Sequence, residues 1–390
     1  MSGLSIGELR KKREEERRSL DLKEEGAFRG RITVHLGTCG IAAGAKEIVD
    51  AFRDEIGKNG TKDIRFSTSG CAGLCSREPM ATVELSDAPP VTYQELTPEK
   101  TRQIFREHVL GGRAVAGFSL GIGTDLSAVP FFRKQVPIVL RNRGVIDPEK
   151  IGEYIARDGY AALEKTLTAM KPEDVVEEIK RSGLRGRGGG GFPTGRKWEI
   201  CRAEKTTPKY LIGNCDEGDP GAYMDRSVLE SDPHSVIEGM TIAAYAVGAS
   251  RGYFYIRTEY PLAIRNMQTA LRQAGECGLI GEDILGTGFD FDIEIREGSG
   301  AFVCGEETSL IHSIEGASPE PRQRPPFPAQ AGIWGCPTVI NNVETLAAVP
   351  AIILRGAGWY SGIGTETSRT FSRSIWSIGR TTWSPTSVLG

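Results

Sequence analysis

Long apolar runs are missing from this 390-residue chain. No stretch of 18 apolar residues occurs, so no membrane-spanning helix is expected. The N-terminus is charged where a secretory leader needs an apolar core, so export is not expected and the cytoplasm is the expected compartment. A basic excess is missing too: 48 Lys and Arg face 51 Asp and Glu, a net charge of −3. Nothing there drives binding to nucleic-acid phosphates. Cysteine is sparse. Eight thiols in a chain this long make no disulfide scaffold and read as reduced thiols, or as ligands where they cluster. Only Cys71 and Cys75 lie close together. Cys201, Cys215, Cys277, Cys304 and Cys336 are scattered and read as small buried side chains. What the chain has in plenty is glycine, 49 of 390 residues, well above the ~7% of average usage. With no collagen period, the excess points to tight turns and close backbone approach to a ligand.

The length suggests two or three domains. Residues 1–27 form a charged arm; 8–25 interleave seven basic with seven acidic residues and read as a solvated helix or a disordered arm, with docking open to either. Residues 28–112 read as a small α/β unit, with strands at 32–36 and 79–85 and a helix through 45–52. A connecting segment, 113–160, follows, in which Asp147-Pro148 is expected to open a helix. The main domain, 161–363, should hold helices at 173–182, 235–247 and 261–274 and strands at 209–213, 253–257 and 289–295. A last helix is expected to start near Asn341. Residues 364–390 change character: 12 Ser or Thr, no Lys, and two of the five Trp. They are expected to build no domain and to leave Trp376 and Trp383 exposed.

Five motifs carry chemistry. Arg185 to Trp198, RGRGGGGFPTGRKW, contains G-x-G-x-x-G at Gly186, Gly188 and Gly191. A dinucleotide fingerprint should follow a strand, yet Val175, Val176 and Ile179 space like a helix. The P-loop pattern also fails, since Arg196 and Lys197 follow Gly195. What remains is a loop of bare N–H groups with cations beside it, suited to an anion. The others are Asn214 to Gly221 (NCDEGDPG), Gly300 to Thr308 (GAFVCGEET), Pro321 to Pro328 (PRQRPPFP) and Ile340 to Thr345 (INNVET). Alone, the acidic loop could bind ribose or flavin groups, bind a metal or shape a turn. Adjacent glutamates at a helix start are often only dipole partners.

Taken together and in order, these motifs resemble the flavoprotein subunit of NADH-oxidising complexes. That is the FMN- and NADH-binding chain of respiratory complex I, with its relatives, the diaphorase subunits of soluble hydrogenases and formate dehydrogenases. The resemblance covers about 113–363. It implies a Rossmann-like α/β domain in which NADH gives a hydride to FMN, and iron–sulfur subunits of a larger oxidoreductase receive the electrons. It places Gly186, Arg187, Gly188, Gly189 and Lys197 at the FMN, with Asn341 and Asn342 near its phosphate and ribityl chain. Asn214, Asp216 and Glu217 would surround the flavin. Gly305, Glu306 and Glu307 would lie by flavin and nicotinamide, Glu306 and Glu307 as the catalytic pair. Phe192 and Phe327 would sandwich the adenine, with Asp219 and Arg324 facing the NADH site. No general base is required, and His234 and His312 read as structural.

The N-terminal unit resembles a thioredoxin-like [2Fe–2S] domain, through GTCGIAAGA (Gly37 to Ala45) and GCAGLC (Gly70 to Cys75). That family uses C-x4-C and C-x3-C. Here Cys39, Cys71 and Cys75 are present, but Val34 stands five residues before Cys39, and His35 would need a bulge to serve. The resemblance therefore leaves a bound cluster and a vestigial docking domain both open, with little iron expected on reconstitution. The family's ubiquitin-like domain and [4Fe–4S] helical domain are not found after 363, which looks like a truncated or frame-shifted reading. The alternative to an enzyme is a nucleotide-binding interaction subunit that does not turn over.

Overall fold

The computed structural model describes residues 3–21, 28–120, 136–298 and 300–363. The expectations for residues 364–390, Trp376 and Trp383 included, lie outside these.

Of the readings open for the charged arm, the structure shows a helix, and a docked one. Helix α1 (Ile6–Leu20) starts on a capping box, Ser5 accepting from the Glu8 N–H while Glu8 accepts from the Ser5 N–H. Leu9, its one fully buried residue, enters the core of the second unit. Arg10 and Arg13 converge on Glu164 at 2.6 and 3.1 Å. The Arg65 guanidinium of the first unit donates to the Ser19 carbonyl. The charge pattern was legible; the single apolar anchor among so many charges was not.

The first unit has strands β1 (Gly30–His35), β2 (Ile64–Ser69), β3 (Ala81–Leu85) and β4 (Ala88–Tyr93) in the order β2-β1-β3-β4. β1 runs parallel to β2 and antiparallel to β3. Short α2 (Thr38–Ala42) and long α3 (Ala45–Asn59) make the crossover, and α3 lays Ile48, Val49 and Phe52 on the sheet. Helix α4 (Pro98–Ile104) closes the unit. The thioredoxin-like expectation is met.

The second unit follows turns at 136–150. Asp147 does not open a helix. Its carboxylate accepts from the Glu149 N–H and the Thr68 hydroxyl, and α5 (Ile151–Ala156) begins later. Helices α6 (Ala161–Ala169), α7 (Pro172–Ser182) and α8 (Thr194–Ala203) lead into β5 (Tyr210–Cys215). Then come α9 (Met224–Ser231), α10 (Pro233–Val247), β6 (Arg251–Arg257), α11 (Pro261–Glu276) and β7 (Asp292–Gly298). Helix α12 (Glu307–Ile314), the short α13 (Pro328–Ala331), β8 (Thr338–Asn342), α14 (Val343–Arg355) and α15 (Ala357–Gly362) complete it. The four strands are parallel, in the order β7-β6-β5-β8. β7 starts three residues later than its alternation suggested, because Phe291 pairs with Gly281 outside the sheet. Asn341 sits in a strand rather than a helix; Asn342 caps α14. Helix α10 is buried along nearly its whole length. It crosses α14 at Gly239, where an added Cβ would lie 2.0 Å from the Leu346 carbonyl oxygen.

Candidate functional site

From β5 the chain winds outward through β6 to β7, then returns to place β8 on the other side of β5. In open parallel sheets ligands bind outside the carboxyl ends of the strands where the winding reverses. Here that point lies between Asn214 and Asn342, which are paired in register. The glycine loop crosses it, preceded by α7 and not by a strand, as the helical spacing predicted. Gly189 and Gly191 have φ of +100° and +60°, values an L side chain rarely adopts. The Gly186 N–H donates to the Phe192 carbonyl, and the Arg187 N–H to Thr345 Oγ1 at 3.0 Å. These bonds pin the loop to itself and to α14. Nothing stands within 4 Å of a Cβ built at Gly189 or Gly190, so the loop offers bare backbone to open space.

Two adjoining cavities, about 910 and 1250 Å³, share Gly186, Gly188, Asn214, Gly305, Glu306 and Asn342. The smaller takes Phe192, Lys197, Glu307, Arg324, Phe327 and Asn341 as well. The larger takes Arg187, Gly189, Asp216, Glu217 and Asp219. Every flavin and nucleotide residue expected from the sequence therefore lines one cleft.

Lys197, from the first turn of α8, donates to the Ile340 carbonyl at 3.0 Å and lies 3.7 Å from Glu307. Burial lowers its pKa, and the Glu307 carboxylate opposes the shift. Buried Trp198 donates to Asn341 Oδ1 at 2.8 Å and fixes that amide. Glu306 caps α12, accepting from the Thr308 and Ser309 N–H groups. Arg324 pairs with Glu307 and approaches Glu306 at 3.9 Å. Phe192 and Phe327 are about half exposed at the mouth. Asn214 donates to the Gly305 carbonyl at 3.0 Å.

The acidic loop does more than the sequence suggested. Glu217 accepts from the Met224, Asp225 and Arg226 N–H groups, so it caps α9 while facing the larger cavity. Asp216 lies 3.6 Å from Arg257; burial pushes its pKa up to about 6, with Arg257 opposing. Asp219 accepts from the Gly221 N–H, shaping a turn. Three cleft residues had no expected role. Asp225 accepts from the Asn342 amide. Burial pushes Glu344 up to about 7, the Arg187 charge opposing and Glu217 adding. Phe302 is 75% exposed at the rim. Asp225 and Glu344 look like ordinary helix-start acids; Phe302 stood inside a quoted motif, and its exposure was invisible.

In the first unit the three thiols form a chain of contacts, Cys39 to Cys75 and Cys75 to Cys71. Cys71 and Cys75 also line the larger cavity. The Gly73 N–H donates to Cys71 Sγ at 3.2 Å. Gly37 allows the two thiol-bearing loops to meet, for a Cβ there would stand 2.6 Å from Cys71 Cβ. Val34 is core. His35 is excluded as a ligand: its ring nitrogens meet Ser69 Oγ at 2.7 Å and Thr82 Oγ1 at 3.1 Å, β1 has no bulge there, and burial drops its pKa to about 4. Among the described residues no group of three or more His, Cys, Asp or Glu is placed to hold a metal ion. His234, bonded to Tyr160 and near Gln273, is structural as expected.

Residues 179–351 match the family described as the Nuo51 FMN-binding domain, and residues 21–108 the thioredoxin-like [2Fe–2S] ferredoxin. The chain is 59% identical over 244 residues to the NADP-reducing hydrogenase subunit HndC of Solidesulfovibrio fructosivorans, covering 63% of this chain and 49% of that one. It is 46% identical over 228 residues to an NADH-quinone oxidoreductase subunit of Escherichia coli (strain K12), covering 58% and 51%. A solved NAD+-reducing [NiFe]-hydrogenase in the H2-reduced state superposes with a TM-score of 0.51 at 29% identity, over 87% of this chain and 55% of that one. The chain thus spans about half the length of the curated relatives it matches. The likeness is carried by two segments, residues 21–108 to the thioredoxin-like [2Fe–2S] ferredoxin family and residues 179–351 to the Nuo51 FMN-binding domain family.

Proposed function

We propose that the chain is the electron-input module of a larger oxidoreductase, oxidising a reduced nicotinamide nucleotide, NADH, at FMN. The observation that carries this is the convergence, at one reversal of strand order, of a glycine loop, a cation and an aromatic pair. The N–H groups of residues 188–191 and the Lys197 ammonium suit the cofactor's phosphate and polar ring edge. Asn341, held by Trp198, and Asn342 offer oriented amides to the ribityl chain. Bound FMN supplies a hydride acceptor at N5. The protein's own part is to stack the nucleotide, through Phe192 and Phe327, and to keep Glu306 and Glu307 oriented through α12 and Arg324. It needs no side chain to take a proton from carbon, which agrees with the single-purpose, fully bonded state of His234. Iron–sulfur subunits of a hydrogenase, formate dehydrogenase or complex I type are the proposed electron takers, in the cytoplasm.

The test is optical. Protein reconstituted with FMN should lose its yellow colour within seconds of adding NADH and reduce ferricyanide in turnover. Flavin retained without bleaching would leave a nucleotide-binding subunit and reject the enzyme.

A further inference from the structure

Behind the cleft, at the end of β6, sits an arginine that touches two of its walls. The Arg257 side chain is only 12% exposed. Glu259, about half exposed, aims it by accepting from Nη2 at 2.8 Å. The same nitrogen donates to the Gly300 carbonyl at 3.2 Å, where the chain enters the turn that ends in Gly305. The other terminal nitrogen, Nη1, faces the acidic loop. It lies 3.6 Å from Asp216 Oδ1. A Cβ built at Gly218 would stand 3.0 Å from Nη1 and 2.7 Å from Phe302 Cδ2, so the loop is wedged between guanidinium and ring. The Asp216 side chain is wholly buried, and neither its carboxylate oxygens nor Arg257 Nη1 has a hydrogen-bond partner. A buried carboxylate without donors is costly, and losing the nearby cation leaves it uncompensated. Sealed from the cavity, this carboxylate serves the site through its backbone. The Asp216 N–H donates to Asn214 Oδ1 at 2.8 Å, and the Asn214 amide donates to the Gly305 carbonyl at 3.0 Å. Asn214 and Gly305 line both cavities.

We propose that Arg257 is a positioning residue for the flavin site: acting through Asp216, it draws the acidic loop and the Gly300–Gly305 turn together and so fixes Asn214 and Gly305 at the cleft. This rests on the reading of the cleft as an FMN site and assigns what holds that site in shape. A second tie from the same segment supports it, since the Tyr260 hydroxyl donates to the Glu217 carbonyl at 3.0 Å. The attraction exists only while Asp216 is ionised. Burial pushes that group up to about 6, so the clamp is full above that pH and released as pH falls through it. The groups facing Asp216 are Arg257 and Glu259 after β6, Tyr255 on β6 and Cys215 on β5. Burial pushes Tyr255 up to about 12 and Cys215 well above its ordinary value, while the bond from Arg257 holds Glu259 below its own. None of these changes charge near pH 6.

The test is an FMN titration of the full-length apoprotein, followed by flavin fluorescence at about pH 8, 7 and 5.5. Wild type is compared with Arg257→Gln, Arg257→Lys, Asp216→Asn and the double variant Arg257→Gln/Asp216→Asn, each checked for fold by circular dichroism. At pH 8, Arg257→Gln and Asp216→Asn should each bind FMN on the order of tenfold more weakly. That deficit should shrink as pH falls through about 6, where wild type loses the same attraction. The double variant should bind no more weakly than Arg257→Gln alone. Arg257→Lys, which keeps the charge, should recover most of the affinity and the pH dependence. The FMN phosphate and Glu344 also titrate in this range, but in every variant alike, so the ratio to wild type isolates Asp216. A deficit of equal size at every pH would make Arg257 a packing residue only, and losses that simply add in the double variant would make the two residues independent; either overturns the proposal. Wild type that takes up no FMN at any pH would bring down the flavin reading itself.

Discussion

Phe327 stands about half exposed over a cavity that already holds Lys197, Glu307 and Arg324. An apolar ring kept in water at a cleft mouth is stabilised only when something stacks on it. Base–aromatic stacking is worth about 1–3 kcal/mol, so Phe327→Ala should weaken NADH binding roughly 5- to 150-fold. FMN content should stay unchanged. A titration followed by flavin bleaching reads both; an unaltered NADH affinity would remove Phe327 from the site. Glu344 makes a different kind of prediction. Its folded pKa, about 7, is above the ordinary 4.5. Between those values the native state holds a proton that the unfolded chain has released. The contribution is therefore full below about pH 4.5 and lost as pH rises to about 7, a swing of up to about 3 kcal/mol. In the apoprotein, Glu344→Gln should flatten this part of the pH–stability profile and gain stability at pH 8. Urea melts at pH 5 and pH 8 measure it; equal shifts at both would place the proton elsewhere.

At the scale of elements, the glycine loop and the α10–α14 crossing show two separate uses of one residue type. At Gly189 the space is open and the backbone is left-handed. Gly189→Val should strain the loop and put a branched side chain into the cleft, cutting FMN affinity at least tenfold while the domain still melts cooperatively. Wild-type affinity in a folded variant would refute the assignment of the loop. At Gly239 the backbone is helical but there is no room, so Gly239→Ala should push α10 off α14. A cost of about 1–3 kcal/mol or more is expected, read as a lowered midpoint in thermal unfolding. These elements were unequally legible. Helices α7, α10 and α11 fell within a residue or two of their expected bounds because Val175, Ile179, Ile264 and Met267 carry the period. The glycine loop and the four other motifs announced the cleft by their order along the chain. Strand β8 was missed because only five residues, TVINN, lie between a turn and a helix cap. The residue that sequence spacing did propose, His35, proved to be occupied twice over.

For the whole molecule the telling contact is α1. Its helix touches both units, burying Leu9 in the second and receiving Arg65 from the first. Leu9→Ala should remove a fully buried side chain and cost about 2–5 kcal/mol. Because the anchor sits on a helix that bridges two units, early proteolysis between residues 1 and 30 should accompany the loss. A variant that melts like wild type would mean α1 is held by its arginines alone.

Helix α1 also has a place in time. Its leading residues are seated far along the chain, where the Leu4 N–H donates to the Cys277 carbonyl and Gly3 presses on Gly278. During synthesis those partners emerge more than 250 residues after α1 itself. At about 5–20 residues per second, that is tens of seconds in which the leading end of a charged, weakly apolar segment lacks its final seat. Its six basic and four acidic side chains are what such an interval demands. They keep the helix in solution, and off other chains, until the surface that will hold Leu9 exists.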